Sequence, residues 1–163
     1  MFPGLEIAGI SAERLLGEWK WLVPGEFALL AVNAFGDLFL EDANRAVHWV
    51  DVTSGTISAV AITGVEFREA AKGPRKKRDW LLQELTENAE RKGCRPGKGQ
   101  CVGSKIPRVF KPSADRPDNM YVAYPSECVW FKGELHGQMK DVPDGQIRIP
   151  VQPRPDKTGP LEN

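Results

Sequence analysis

The sequence predicts an α+β domain, a small antiparallel or mixed sheet packed with helices. Two observations carry the prediction. Between Leu38 and Ile62 three short apolar runs are separated by clusters of turn residues, the pattern of a β-meander. On either side lie stretches with apolar residues at helical spacing: Leu15, Leu16 and Trp19 behind a capping Ser11, and Leu81, Leu82, Leu85 and Ala89 behind Asp79.

In chain order, the Ser11 hydroxyl can accept from a free first-turn amide and Glu13 suits the positive end of the helix dipole, so a helix is expected to about Lys20. Val23-Pro24-Gly25-Glu26 breaks it, and a second apolar helix is expected from Phe27 to Asn33. Gly36 permits the sharp entry into a first strand at Leu38 to Leu40, and Glu41 to Arg45 supply a turn. In the second strand, Ala46 to Val52, alternation places Val47 and Trp49 on one face and His48, Val50 and Val52 on the other. Thr53-Ser54-Gly55 leads into a third strand from Thr56 to Ile62.

Glu66 to Ala71 reads as one or two helical turns stopped by Gly73-Pro74, followed by a helix from Trp80 to Lys92 that Gly93 ends. Cys94 to Asp118 is crowded with glycine and proline and reads as a long loop, with a short strand at Arg108 to Phe110. Strands are expected at Met120 to Tyr124 and Glu127 to Phe131, then a short helix from Glu134 to Val142. After the Pro143-Asp144-Gly145 turn comes a last strand with Ile147, Ile149 and Val151 inward. Residues 1–151 thus form one domain and residues 152–163 a flexible, proline-rich tail.

A chain of 163 residues can bury roughly 68–70% of the surface its unfolded form exposes, enough for a core without staples. Its 22 basic residues balance 22 acidic ones, so bulk charge points to neither a nucleic-acid nor a membrane partner. The N-terminal segment has no basic region ahead of a long apolar core, which argues against a secretory signal. The apolar-looking window from Trp21 to Leu40 is broken by Pro24, Glu26, Asn33 and Asp37 and so falls short of a membrane span. A cytoplasmic location follows as the expectation, with Cys94, Cys101 and Cys128 reduced.

Patterns that bear chemistry are sparse. Cys94 and Cys101 have six residues between them where zinc pairs keep two to four, and Cys128 is remote; no metal or other cofactor is expected. A nucleophilic cysteine would need a base and an orienting group that the sequence does not place. The loop from Gly97 to Lys105 has the wrong order for a phosphate cradle and follows a helix, not a strand. Arg75-Lys76-Lys77-Arg78, the one dense basic run, lacks interleaved aromatics and reads as a solvated helix start. His48 stands close in sequence to Asp37, Glu41, Asp42 and Asp51, and a carboxylate beside an imidazole suits acid and base work or a divalent ion. The competing account is that these acids punctuate the turns of the meander. His136 reads as a surface or packing residue.

Several segments resemble one family. They are Leu16-Gly17-Glu18-Trp19, Asn33-Ala34-Phe35-Gly36-Asp37-Leu38-Phe39, Val47-His48-Trp49-Val50-Asp51-Val52 with Thr53 and Gly55, Cys128-Val129-Trp130-Phe131, and Gly137-Gln138-Met139-Lys140-Asp141. In order and spacing they are similar to the C-terminal domain of type VI secretion immunity proteins, a domain akin to the SUKH immunity scaffold. The resemblance implies a SUKH-like fold, no catalytic residue, and a cognate toxin, often a nuclease, bound and occluded in the bacterial cytoplasm. On that reading Asp37, Glu41, Asp42, His48 and Asp51 are the expected partner-binding residues, the acids mimicking the phosphates a nuclease prefers. The chain departs from the family in lacking the N-terminal half that some members carry and in its long Cys94 to Asp118 loop. Two alternatives stand beside it: a non-catalytic interaction module with another partner, and a small hydrolase using His48 and its carboxylates.

Overall fold

Four antiparallel strands in consecutive order, β1 (Ala28–Val32), β2 (Leu38–Glu41), β3 (Val47–Asp51) and β4 (Thr56–Ala61), form the main sheet of the computed structural model, which describes residues 10–107, 110 and 117–143. Ahead of it lies α1 (Ala12–Leu16), extended by a 3₁₀ turn over Gly17–Trp19. After it come α2 (Gly64–Ala71), α3 (Pro74–Trp80) and α4 (Gln83–Arg91). A second sheet pairs β5 (Cys101–Ser104) antiparallel with β6 (Met120–Ala123), and α5 (Pro125–Met139) closes the described chain. The α+β class read from the sequence is the one observed, and no helix among the described residues is long and apolar enough to cross a membrane.

The meander buries both of its faces. On one, Leu38, Leu40, Val50 and Val52 pack with Leu15, Leu16, Trp19 and Val129, sandwiching a core between the sheet and the α1 and α5 helices. On the other, Phe39 and Val47 meet Phe67 and Trp80 from α2 and α3, with Trp49 packed against them. The division of β3 into a Val47 and Trp49 face and a Val50 and Val52 face is as its alternation predicts. The second sheet hangs on the first through a backbone hydrogen bond from Val102 N–H to the Ala34 carbonyl, 2.6 Å, and through Phe35, Ala89 and Val102 in a third cluster.

Four expectations fail, each for a tertiary reason. Phe27 to Asn33 holds strand β1, not a helix. Leu29 and Val32 serve one face of the sheet while Ala31 serves the other, around a register shift between Leu29 and Ala31, and pairing with β2 outweighs local preference. Trp80 to Lys92 is not one helix, because Leu82 adopts φ +50° between α3 and α4. The apolar stripe is thereby split, Trp80 going to the sheet core and Leu85 and Ala89 to the third cluster. Glu127 to Phe131 is not a strand; it merges with the expected Glu134 to Val142 helix into α5, which starts with Pro125 in its first turn. Finally, the loop expected from Cys94 contains β5. Arg108 and Val109 of the expected short strand, the last strand at Ile147 to Val151 and the tail 152–163 lie outside the described residues.

Two glycines seat α5. A Cβ at Gly133 would stand 2.7 Å from the Trp19 indole nitrogen, and one at Gly137 would stand 3.2 Å from Trp21. The bare backbone lets both indoles lie on the helix and donate to it, Trp19 Nε1 to the Val129 carbonyl at 2.8 Å and Trp21 Nε1 to Gly133 at 3.2 Å. Burial of the Trp19 indole without such an acceptor would cost about 1–3 kcal/mol.

Candidate functional site

The five residues expected to bind a partner divide between opposite ends of the β2–β3 ladder. Leu38 pairs with Val50 and Glu41 with Val47, so Asp37 and Asp51 sit three to five residue steps, about 10–17 Å, from Glu41, Asp42 and His48. They form no single cluster.

Asp37 is 1% exposed and carries no carboxylate to a surface. Its Oδ1 accepts from Val52 N–H at 3.0 Å and its Oδ2 from Asn33 Nδ2 at 2.9 Å. Asn33 also donates to the Trp80 carbonyl and, through Oδ1, accepts from the amides of Phe35 and Asp37. The pair therefore ties the β1–β2 turn to the end of β3 and to α3. Burial, reinforced by the nearby Asp51 charge, raises the Asp37 carboxyl to about 6 against the pull of Asn33, Lys132 and the Val52 amide.

At the far end Asp42 Oδ1 accepts from the amides of Asn44 and Ala46, and its Oδ2 meets His48 Nε2 at 2.8 Å. That hydrogen bond holds the Asp42 carboxyl below its ordinary value. Phe27 sets its edge on the His48 ring, centroids 5.8 Å apart, and Glu41 pairs with Arg45 at 3.2 Å. Asp51 accepts from Thr53 and Ser54 amides in the next turn. Asp37, Asp42 and Asp51 thus bond backbone amides at turns and strand ends, the role that short polar side chains take where strands reverse, while Glu41 pairs with Arg45 instead. Among the described residues no group of three or more His, Cys, Asp or Glu comes together to hold a metal. His136, read as a surface or packing residue, is buried: Nε2 donates to the Thr53 carbonyl at 3.1 Å, the ring lies 5.9 Å from Trp19, and only the glycine at position 55 makes room for it.

A different site is built where β5, β6, α1 and α5 converge. A cleft of about 700 Å³ opens there, lined by Arg14, Ser104, Tyr121, Cys128, Trp130, Phe131 and Lys132 among others. Gly103 explains its floor: a Cβ there would stand 2.7 Å from Tyr121 Cζ and 3.0 Å from Cys128 Sγ, so the cross-strand glycine lets the phenol lie flat over β5 against the sulfur. Cys101, buried in β5, packs on Cys128 from below. Both are free thiols.

The electrostatics of the two sulfurs diverge. A hydrogen bond from Cys101 brings Cys128 down to about 7 against the effect of burial, helped by the Lys132 ammonium and a bond from Tyr121. The same bond and burial push Cys101 up, and burial beside Cys128 raises the Tyr121 phenol. Reading along the sequence missed this group. Cys101 and Cys128 are far apart in the chain, and only the β5–β6 pairing and the turn into α5 bring them together. The available signal was the Cys128 to Lys132 spacing, one helical turn, which is invisible while that segment is taken for a strand.

No protein-family model matches the sequence, and no curated protein matches it.

Proposed function

We propose that this domain is a non-catalytic bacterial immunity protein on a SUKH-like scaffold, binding and occluding a cognate toxin in the cytoplasm, and that it presents the aromatic cleft to that toxin. The resemblance noted above supplies the class of partner. The observation that supports the face is the exposure of Tyr121, Trp130 and Phe131, at 41, 44 and 47%, around one concavity. Scattered apolar residues are ordinary on a surface, whereas large aromatics gathered at one place mark interaction sites. Trp, Tyr and Arg supply most binding hot spots, and here Arg14 stands beside them. Glu13, Glu127 and Lys132 give the same walls both signs of charge, which suits register on a protein better than capture of a polyanion. Of the acids of the meander, by contrast, Asp37, Asp42 and Asp51 accept from backbone amides and Glu41 pairs with Arg45.

The test is co-expression with the toxin encoded beside this gene, scoring rescue of growth and co-purification. The wild-type protein is expected to rescue, and the double variant Trp130→Ala, Phe131→Ala to lose both readouts while melting normally. Rescue that survives this double variant but fails with Glu41→Lys and Asp51→Lys would move the interface to the meander. Failure of the wild-type protein to bind or rescue would overturn the immunity reading itself.

A further inference from the structure

We propose that Cys128 and Cys101 form a peroxide-reactive thiol pair, Cys128 attacking a hydroperoxide that enters the aromatic cleft and Cys101 closing an intramolecular disulfide onto it. Geometry carries the assignment. Cys128, in the first turns of α5, lines the cleft and is 5% exposed, while Cys101 is wholly buried and does not line it, so Cys128 is the one of the two that a reagent entering the cleft can meet. Their side chains pack in one buried cluster with Ala123, which puts Cys101 beside Cys128 as a resolving thiol must be. Three groups stabilise a thiolate at Cys128: the Cys101 thiol, the Tyr121 hydroxyl and the Lys132 ammonium one turn along the helix. The opposing charge in the group is Glu127. Cys94 has none of these partners; its thiol is simply raised by burial.

The chemistry balances with a hydroperoxide as sole oxidant. The Cys128 thiolate attacks the terminal peroxide oxygen; an S–O bond forms and the O–O bond breaks. The alkoxide or hydroxide leaves, taking a proton to become alcohol or water, and Cys128 becomes a sulfenic acid, oxidised by two electrons. Cys101 then gives up its proton and attacks the Cys128 sulfur; the S–S bond forms, the S–O bond breaks, and the hydroxyl leaves as a second water. The reaction uses the cleft assigned above to a partner but needs no partner, so the two readings stand or fall separately.

The experiment is titration of the reduced full chain with one equivalent of hydrogen peroxide in denaturant-free buffer, followed by quenching, intact mass and mapped alkylation. A loss of two mass units is expected, with Cys101 and Cys128 in one linked peptide pair and Cys94 still alkylated. Cys101→Ala is expected to stop at a Cys128 sulfenic acid trapped by dimedone, and Cys94→Ser to behave as the wild type. In the untreated protein, the rate of Cys128 alkylation by iodoacetamide should rise through a midpoint near pH 7. At neutral pH it should exceed that of Cys94 by about threefold or more, the larger thiolate fraction being partly offset by lower intrinsic nucleophilicity. Three unchanged thiols after peroxide, or a disulfide that includes Cys94, would overturn the proposal, whatever the outcome of the toxin experiment.

Discussion

The two ends of the molecule treat side chains in opposite ways. In the meander, polar residues are drawn in: Asn33, Asp42 and Asp51 bond the backbone of their own turns, Asp37 bonds the end of β3 at Val52, and His136 reaches across from α5 to Thr53. At the junction of β6 with α5, apolar residues are turned out: Tyr121, Tyr124, Trp130 and Phe131 are each at least 41% exposed. Apolar strands need polar groups to close their turns, so carboxylates there are the expected cost of architecture. A wall of exposed aromatics has no architectural duty and points outward to whatever it meets.

The contrast can be pressed hardest at the packed end. Trp19→Ala removes a fully buried indole from between the sheet and α5 together with its bond to Val129, and is expected to lower the unfolding free energy by about 3–5 kcal/mol, read as a fall in urea midpoint. Asn33→Ala orphans the Asp37 carboxylate oxygen, two amides and the Trp80 carbonyl in one step, and should cost about 2–4 kcal/mol.

A comparable effect comes from pH. Asp37 titrates near 6 when folded and near 3.8 when unfolded, so between those values the native state holds the extra proton and stability falls as pH rises through the window. Acidifying from pH 7 to pH 4 should therefore recover about 2 kcal/mol from this group. His136 works the other way: burial lowers it, and the folded state loses stability as pH drops below its ordinary value. The difference between wild type and Asp37→Asn isolates the carboxyl. Asn keeps an oxygen for Val52 N–H but faces Asn33 with a second amide donor, a constant offset; the His136 slope remains in both proteins, and a wild-type minus variant difference that stays flat between pH 7 and pH 4 would sink the assignment.

At the open end the same kind of truncation should barely touch the fold. Trp130→Ala is expected to shift stability by about 0.5 kcal/mol or less yet to weaken toxin binding by about 2 kcal/mol or more, measured by calorimetry on the purified complex. Smallest of all, Glu41→Gln breaks an ion pair whose Arg45 side chain is 72% exposed, and should alter stability by less than about 0.5 kcal/mol and binding not at all. A stability loss at Trp130 larger than that at Asn33 would erase the contrast between the two ends.

What the sequence discloses follows the range of the forces involved. Strands β2, β3 and β4 were readable because alternation and turn chemistry are local, and so was the Ser11 cap, whose hydroxyl accepts from the Arg14 amide. Strand β1 was not, since a five-residue apolar run has no period long enough to separate helix from strand. Helix α5 was divided into a strand at Glu127 to Phe131 and a short helix from Glu134, because what joins them is not local: Gly133 lies against an indole more than a hundred residues away. The Asp37 carboxyl was visible as chemistry but its burial was not, because that depends on α3 and β3 closing over it. The thiol pair was hidden twice, by a strand found inside an expected loop and by a helix found inside an expected strand.

Helix α5 is, in effect, a keyed shaft whose slots at positions 133 and 137 are filled by Trp19 and Trp21. A form of this protein cleaved or started after residue 21 would not merely be shorter. It would leave those slots wet, loosen His136 from the Thr53 turn, and set free the same helix that holds Cys128 over Cys101. Proteolysis near the N-terminus should thus be felt at the far side of the molecule, as thiols that become freely reactive before the sheet itself has melted.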